Sequence, residues 1–437
     1  MTCGLPLCRE VFLFPYGRIL ALPRRNTSAA GVSPQNANEV NIVHEVRSLE
    51  NKDLLAYKHL CSICFTYPSD DEIPGELTPE LLRIRRGVFD EKGNLLSAMM
   101  EIPYNVRFCG ETVKMVGIGG VVTDPVARGG GAIRAIFEED LPQQYQQEYV
   151  LGALYPFSFR FYGKFGYIWT RFGRNMFFSR DAIRADLRKA EEIVRVLPGE
   201  DDQGMAEIYR AYIADKNLAV LRNEEMWKER RNGTPWANMK HAYVLRIGGK
   251  PVAYWIGKHE KGDSGATLTM QDMAWTCQAG LEAIFAMIRG MNEVAEIRVQ
   301  ARSGFEPALI CNEAWDVNPQ EDIQGMVRVI NAERALALLL APVLPGTLTV
   351  EVTDEQIAEN CGRFTVTCDG CSSTVTRDDN APADIRCDIR GLTALVMGRH
   401  TFADAAEMGI IELLNDQKAC LAGLLFAERK LHLNWNF

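Results

Sequence analysis

Lys114-Met115-Val116-Gly117-Ile118-Gly119-Gly120-Val121-Val122-Thr123, then Asp124-Pro125-Val126-Ala127, then Arg128-Gly129-Gly130-Gly131-Ala132-Ile133-Arg134: here an apolar run meets a turn and a glycine cluster. The run 114–123 reads as a buried strand, bulged at its glycines and stopped by Asp124-Pro125. Behind the cluster, Ile133, Ile136, Phe137 and Leu141 recur at helical spacing, so the glycines fall at a helix N-terminus. Amides with no helical partner and the positive end of the helix dipole make such a place an anion site. Residues without a side chain let a pyrophosphate come close to the backbone. The dinucleotide and P-loop patterns do not fit, because Gly129-x-Gly131 continues to Arg134 and no Gly-Lys-Ser or Gly-Lys-Thr follows. Three glycines alone would read as an ordinary turn; Arg128 and the buried strand point to the anion site.

Upstream, 41–46 reads as a strand, Ser48 as the N-cap of a helix through Phe65, and 77–86 as a helix. Strands over 87–89 and 95–101 flank a turn at 90–94, and strands over 106–109 and 112–123 flank Gly110-Glu111, predicting an antiparallel meander. Downstream, helices over 204–214 and 223–231, a hairpin across 242–271 and a helix over 281–291 repeat the first unit's layout. From Gly325 onward come a strand over 347–352, two strands joined by Asp369-Gly370 as a two-residue hairpin, a strand over 384–389, and helices over 392–397 and 416–426. The fold class is mixed α/β (α+β). Four segments are expected: a mobile extension over 1–40, a first unit over 41–185, a second over 186–318 and a third over 319–437.

Val122-x-x-Pro125-x-x-Arg128-x-x-Gly131 resembles the acetyl-CoA signature of GNAT acetyltransferases, with Ile133 where that signature has Gly or Ala. Together with Phe161-Tyr162-Gly163-Lys164-Phe165-Gly166-Tyr167, it resembles the Eis (enhanced intracellular survival) branch, Lys164 standing where an Arg is usual. The resemblance covers nearly all of 41–437. It implies two tandem GNAT units and a sterol-carrier-protein-like domain, to which residues 325–330 and 388–392 look similar. The second unit's matching segment, Thr276-Cys277-Gln278-Ala279-Gly280-Leu281, has no Arg-x-x-Gly-x-Gly pattern, so one acetyl-CoA per chain follows. The resemblance also implies site roles. Val121, Val122 and Thr123 would offer backbone to the thioester carbonyl, and Arg128, Gly129, Gly130, Gly131, Ala132, Ile133 and Arg134 would hold the pyrophosphate. Phe157 and Ser158 would line the acyl arm, Tyr162 would be the general acid, and the carboxylate of Phe437 would help deprotonate the amine. A phenol, with a reference pKa of about 10, is protonated at neutral pH and can donate. From local sequence alone Tyr162 reads as a core tyrosine, since Tyr155, Phe157, Phe159, Phe161 and Phe165 say only that the segment is buried. Phe437 alone could be a frayed end, but it and Trp435 are large rings that gain by docking. A homohexamer is likewise implied.

At 437 residues, 47% hydrophobic and 24% charged, the chain is long enough for several cores and has no run near the ~20 apolar residues of a membrane helix. A net charge of −9 disfavours nucleic acid and anionic lipid and weakly favours a cationic substrate. Arg9, Pro15, Arg18 and Pro23-Arg24-Arg25 interrupt every early apolar stretch, so no export signal is read and a cytoplasmic location is expected. The 12 cysteines are irregularly spaced, which argues for reduced thiols rather than a disulfide framework.

Cys61-x-x-Cys64 and Cys368-x-x-Cys371 do not make one zinc tetrahedron, the first lying in a helix and the second flanking a hairpin turn. Gly262-Asp263-Ser264-Gly265 reads as a turn, and the six histidines show no His-x-x-x-His spacing, so no metal is expected. Two functions compete. One is an enzyme acetylating amines of an aminoglycoside- or polyamine-like molecule or of lysines. The other is a non-catalytic protein binding a lipid or peptide in its third domain. A retired enzyme should have lost the loop, as the second unit has, whereas Arg128, Gly131 and Tyr162 persist together.

Overall fold

The computed structural model of the protein describes residues 45–65, 78–170, 173–231, 240–262, 265–301, 305–322 and 325–435. The expected extension over 1–40 and, at the other end, Asn436 and Phe437 lie outside them. Chain contacts group these residues into two units, one made of Glu101–Gly119 with Phe137–Trp435, the other of the residues up to Met100 with Gly120–Ile136.

The smaller unit begins with β1 (Glu45–Ser48), so Ser48 ends a strand and is not a helix cap. The helical path enters at Glu50, whose amide donates to the Asp53 carboxylate at 2.9 Å. Arg47 holds that carboxylate with two bonds of 2.7 and 3.0 Å, and α1 (Leu54–Phe65) follows. Thr78 caps α2 (Pro79–Arg83), accepting from the Leu81 amide at 3.3 Å. The helix expected to run to residue 86 stops at Arg83, because Val88 and Phe89 must be buried from a strand, β2 (Arg85–Phe89). β2 pairs antiparallel with β1 and with the start of β3 (Leu95–Phe108).

β3 is one long strand where the sequence suggested two. Its interruption in the pattern, Pro103, falls between the stretch that pairs with β2, ending at Met100, and the pair Val106↔Val220, Arg107↔Ala219. A proline costs no ladder bond where no neighbour asks for its N–H. β4 (Glu111–Thr123) returns beside it, and α3 (Ala132–Gln146) leads to β5 (Leu151–Leu154). β4 and β5 run parallel from Met115↔Leu151 to Ile118↔Leu154, as a strand–helix–strand crossover requires.

In the larger unit, strand Gly325–Val329 pairs antiparallel with both β5 and strand Ile168–Thr170. Sequence had grouped 325–330 with the third segment; its ladder bonds are with the first. A seven-stranded sheet carries helix Gln278–Arg289, whose Leu281, Ile284, Phe285 and Ile288 are buried on one stripe. Here too the helix links parallel strands, Ala266–Trp275 and Val294–Ala301. The pair Lys261↔Ala266 brackets the expected turn, whose residues 263 and 264 lie outside the description. A third sheet of five strands follows, centred on Gly346–Thr353. Its hairpin corrects the two-residue reading of Asp369-Gly370. Cys368 pairs with Ser373, leaving four loop residues, because the Asp369 carboxylate accepts from the amides of Cys371 and Ser372 at 2.8 and 2.7 Å. The architecture is mixed α/β throughout, and no helix among the described residues is long and apolar enough to cross a membrane.

Candidate active site

Strand β4 takes a left-handed residue at Gly120, where φ is +54° and an added Cβ would lie 2.9 Å from the Met100 methyl. A side chain is excluded there by both conformation and space. Beyond Gly120, Ser97 Oγ donates to the Val122 carbonyl at 2.6 Å and lies 2.8 Å from Thr123 Oγ1. Cys64 Sγ approaches the Thr123 carbonyl at 3.5 Å. The carbonyls of Val122 and Thr123 are thus engaged, and this face of the strand is held in place.

The chain then turns through Asp124, whose carboxylate accepts from the Val126 amide at 3.0 Å and whose carbonyl accepts from the Ala127 amide at 2.9 Å. The Gly130 amide donates to the Ala127 carbonyl at 3.2 Å. Gly129 and Gly131 both adopt left-handed φ, +82° and +83°, and a Cβ on either would meet nothing within 4 Å. Side chains there would be strained and would fill open space in front of the turn. The first helical ring of α3 closes where the Ala135 amide donates to the Gly131 carbonyl at 3.0 Å, so the amides of Ala132, Ile133 and Arg134 precede any intrahelical acceptor. Arg128, Gly129, Gly130, Gly131 and Arg134 are exposed, while Ala132 and Ile133 are buried. Ile133, the departure from the GNAT signature, therefore packs inward and leaves the outer face of the turn clear.

In the larger unit, Ser158 caps α4 (Phe159–Gly163), its Oγ accepting from the Phe161 amide at 3.3 Å. Tyr162 is 2% exposed and sits edge-on to Phe137, Phe157 and Phe161 at centroid distances of 6.1, 5.2 and 5.2 Å. Burial pushes its phenol far above the usual tyrosine range, with the neighbouring Tyr167 adding to the effect. Phe157, expected to be buried with the other rings, is 70% exposed, and Phe159 is exposed as well. The structure thus brings Val121, Val122 and Thr123 together with Arg128 to Arg134 in one unit, and Phe157 and Ser158 with Tyr162 in the other.

Two features escaped the sequence. One is Ser97, an ordinary strand serine by pattern, whose hydroxyl fastens the end of β4. The other is the set of polar anchors along residues 430–435, whose docking the ring of Trp435 alone had suggested. The Asn217 amide donates to the Lys430 carbonyl at 2.8 Å and the His432 amide to the Asn217 carbonyl at 2.7 Å. Asn434 Nδ2 donates to Asp272 at 2.9 Å, Arg230 donates to the Asn434 carbonyl, and Tyr155 Oη donates to the Trp435 carbonyl at 2.8 Å. Trp435 is buried, with the Arg230 guanidinium 4.8 Å from its ring.

Comparison with known proteins gives this geometry its class. Residues 45–170 match the family model of the acetyltransferase (GNAT) domain, and residues 332–434 match that of the sterol carrier protein domain. The chain carries a GNAT acetyltransferase domain followed by a sterol carrier protein domain. A GCN5-related N-acetyltransferase from Anabaena variabilis superposes with a TM-score of 0.76 at 19% identity, covering 89% of this chain and 98% of its own. Eis1 from Mycobacterium abscessus does so at 0.75 and 18%, covering 90% of this chain and 100% of its own. A probable N-acyltransferase from Enterococcus faecalis gives 0.76 and 20%, with 89% and 97% covered. In fold, the protein is of the Eis type. Among curated proteins, none matches the sequence.

Proposed function

We propose that this chain is an acetyl-CoA-dependent N-acetyltransferase with one donor site. It acts on amines of a cationic small molecule, aminoglycoside- or polyamine-like, or of lysine side chains. The observation that carries the reading is the turn of Gly129 and Gly131, left-handed and open in front, at the head of α3. Bound acetyl-CoA would supply an acetyl thioester. Residues 128–134 fit its pyrophosphate, Arg128 and Arg134 adding charge to the amides of a helix N-terminus. The backbone of Val121, Val122 and Thr123 would orient the thioester carbonyl, and Phe157 and Ser158 would flank the acyl arm.

Tyr162, its phenol held protonated by burial, would keep a proton at Oη for the departing sulfur. The carboxylate of Phe437 would accept the amine's proton. That step needs a desolvated carboxylate or a relaying water, since a reference pKa of about 3.5 is a poor match for an amine. The anchored path of residues 430–435 supports a fixed rather than a frayed approach to Phe437. Assembly as a hexamer belongs to the same reading, and sedimentation tests it.

A second reading has its own observation. An apolar cavity of about 540 Å³ in the C-terminal domain, walled by Phe402, Leu413 and Phe426, suits a lipid tail or an apolar peptide side chain, with the acetyltransferase units as scaffold. Thiol release from acetyl-CoA against aminoglycosides, polyamines and lysine peptides separates the two. Amine-dependent release supports the enzyme. No release with any amine, alongside retained binding of a fluorescent fatty acid, supports the carrier.

A further inference from the structure

We propose that the buried pair Arg328–Asp354 is a positioning device for the turn that bears Tyr162, making the C-terminal domain a working part of the transferase site. The inference rests on Tyr162 being the general acid. Residues 162–167 form a tight turn in which the amides of Phe165 and Tyr167 both donate to the Tyr162 carbonyl, at 3.0 and 3.3 Å. The Phe165 carbonyl at its crest accepts from the Arg328 guanidinium. Gly166, at φ +80°, is glycine for two reasons, since a Cβ would fall on that guanidinium and 2.8 Å from an Ile389 methyl. Tyr167 closes the turn from the other side, its hydroxyl lying where a side chain on Gly152 would be, 2.8 Å from that Cβ position.

Arg328 is fully buried and reaches the turn from strand Gly325–Val329. Its other nitrogen, Nη2, pairs with both oxygens of Asp354 at 2.9 and 2.6 Å. Asp354 belongs to the domain that matches the sterol carrier model, and Asn360 Nδ2 of the same domain donates to it at 2.9 Å. Asn360 also holds the strand's exit, donating to the Ile330 carbonyl at 2.9 Å and accepting from the Ala332 amide at 2.8 Å. A fully buried ion pair is a poor stabiliser against an apolar replacement, since desolvation offsets its attraction. What it supplies here is a rigid donor aimed at one carbonyl, three residues beyond Tyr162.

The test measures the contribution of the Tyr162 hydroxyl in two backgrounds. Tyr162→Phe is compared with the parent in the wild-type chain and again in Asp354→Asn, with calorimetry of acetyl-CoA and thermal melting on all four proteins. In the wild-type background the hydroxyl should be worth about 10²-fold in turnover. In Asp354→Asn that ratio should collapse to within about threefold, while acetyl-CoA affinity stays within about twofold, the non-additivity expected when one residue acts through another. If Asp354→Asn does not fold, Asn360→Ser is used, which loosens Asp354 without stranding a buried charge, and a fall in the same ratio is expected. A folded Asp354→Asn or Asn360→Ser that keeps the full ratio overturns the positioning role and leaves Tyr162 as the acid. A neutral Tyr162→Phe in the wild-type chain overturns both.

Discussion

Among the described residues the same strand–helix–strand crossover occurs twice, open in the first unit and closed in the second. In the first unit, Thr123 and Ala132 are separated by a turn, two left-handed glycines and exposed backbone. In the second, Trp275 is followed almost at once by helix Gln278–Arg289, capped by Cys277 with no side-chain bond. Its Gly280 serves the opposite purpose from Gly129 and Gly131. A Cβ there would lie 2.8 Å from the Val252 carbonyl oxygen, so the residue lets helix and strand close together. A glycine leaves open space in one crossover and removes it in the other. Two crossovers of the same order thus differ in the length and conformation of the strand-to-helix connection, and the proposed donor site goes with the open one.

The largest effect should come from closing the open connection. Arg128→Ala with Gly131→Glu should abolish acetyl-CoA binding in calorimetry, because a strained, anionic side chain would stand where the proposed pyrophosphate site lies. The wild type should bind one equivalent per chain, and a stoichiometry of two would break the contrast between the units. Next, Tyr162→Phe should lower turnover about 10²-fold with acetyl-CoA affinity nearly unchanged. Appending one glycine after Phe437 displaces its carboxylate by up to ~3.8 Å and should cost about tenfold or more in turnover. An extended chain as active and as stable as wild type would rule the terminus out as base.

The closed connection predicts smaller changes, in stability only. Gly280→Ala should lower stability by about 2 kcal/mol, as overpacking against backbone does, and leave the acetyl-CoA stoichiometry at one. Lys240 offers the mildest test. Burial, with Arg230 nearby, brings its pKa down to about 8, while its Nζ donates to the Glu229 carbonyl at 3.1 Å. The unfolded chain holds that proton up to about pH 10.4, so it binds more protons than the folded one between these values, and stability should rise with pH across that window. Lys240→Met should flatten the rise in chemical-denaturation midpoints measured from pH 7.5 to 10.5; an unchanged slope would assign it to other groups.

These contrasts show what the sequence could carry. Residues 114–134 were legible because a buried strand, a Pro stop and clustered glycines are local signals, and the structure places the strand, turn and helix where they pointed. Readings failed where a side chain chose its partner at short range. Asp53 rather than Ser48 shapes the entry to α1, and the Asp369 carboxylate draws two further residues into its hairpin loop. They failed again where the partner was remote. Nothing in the pattern of 325–329 says that this strand will lie between β5 and strand Ile168–Thr170. Gly166 did announce itself within a recognisable motif, but the reason for it, a guanidinium from residue 328, exists only in three dimensions.

The tail also sets a timetable. Asn434 bonds to Asp272 across 162 positions of chain, and Trp435 to Tyr155 across 280. Contacts of such separation form slowly, since chain closure must come before any of their benefit. Before residues 430–435 return, Asp272 has Arg222 and Tyr254 at 2.6 and 3.1 Å and Arg230 at 3.8 Å, and the Asn434 amide is the partner it gains last. The docking of this short segment thus waits on the folding of the distant elements it bonds to.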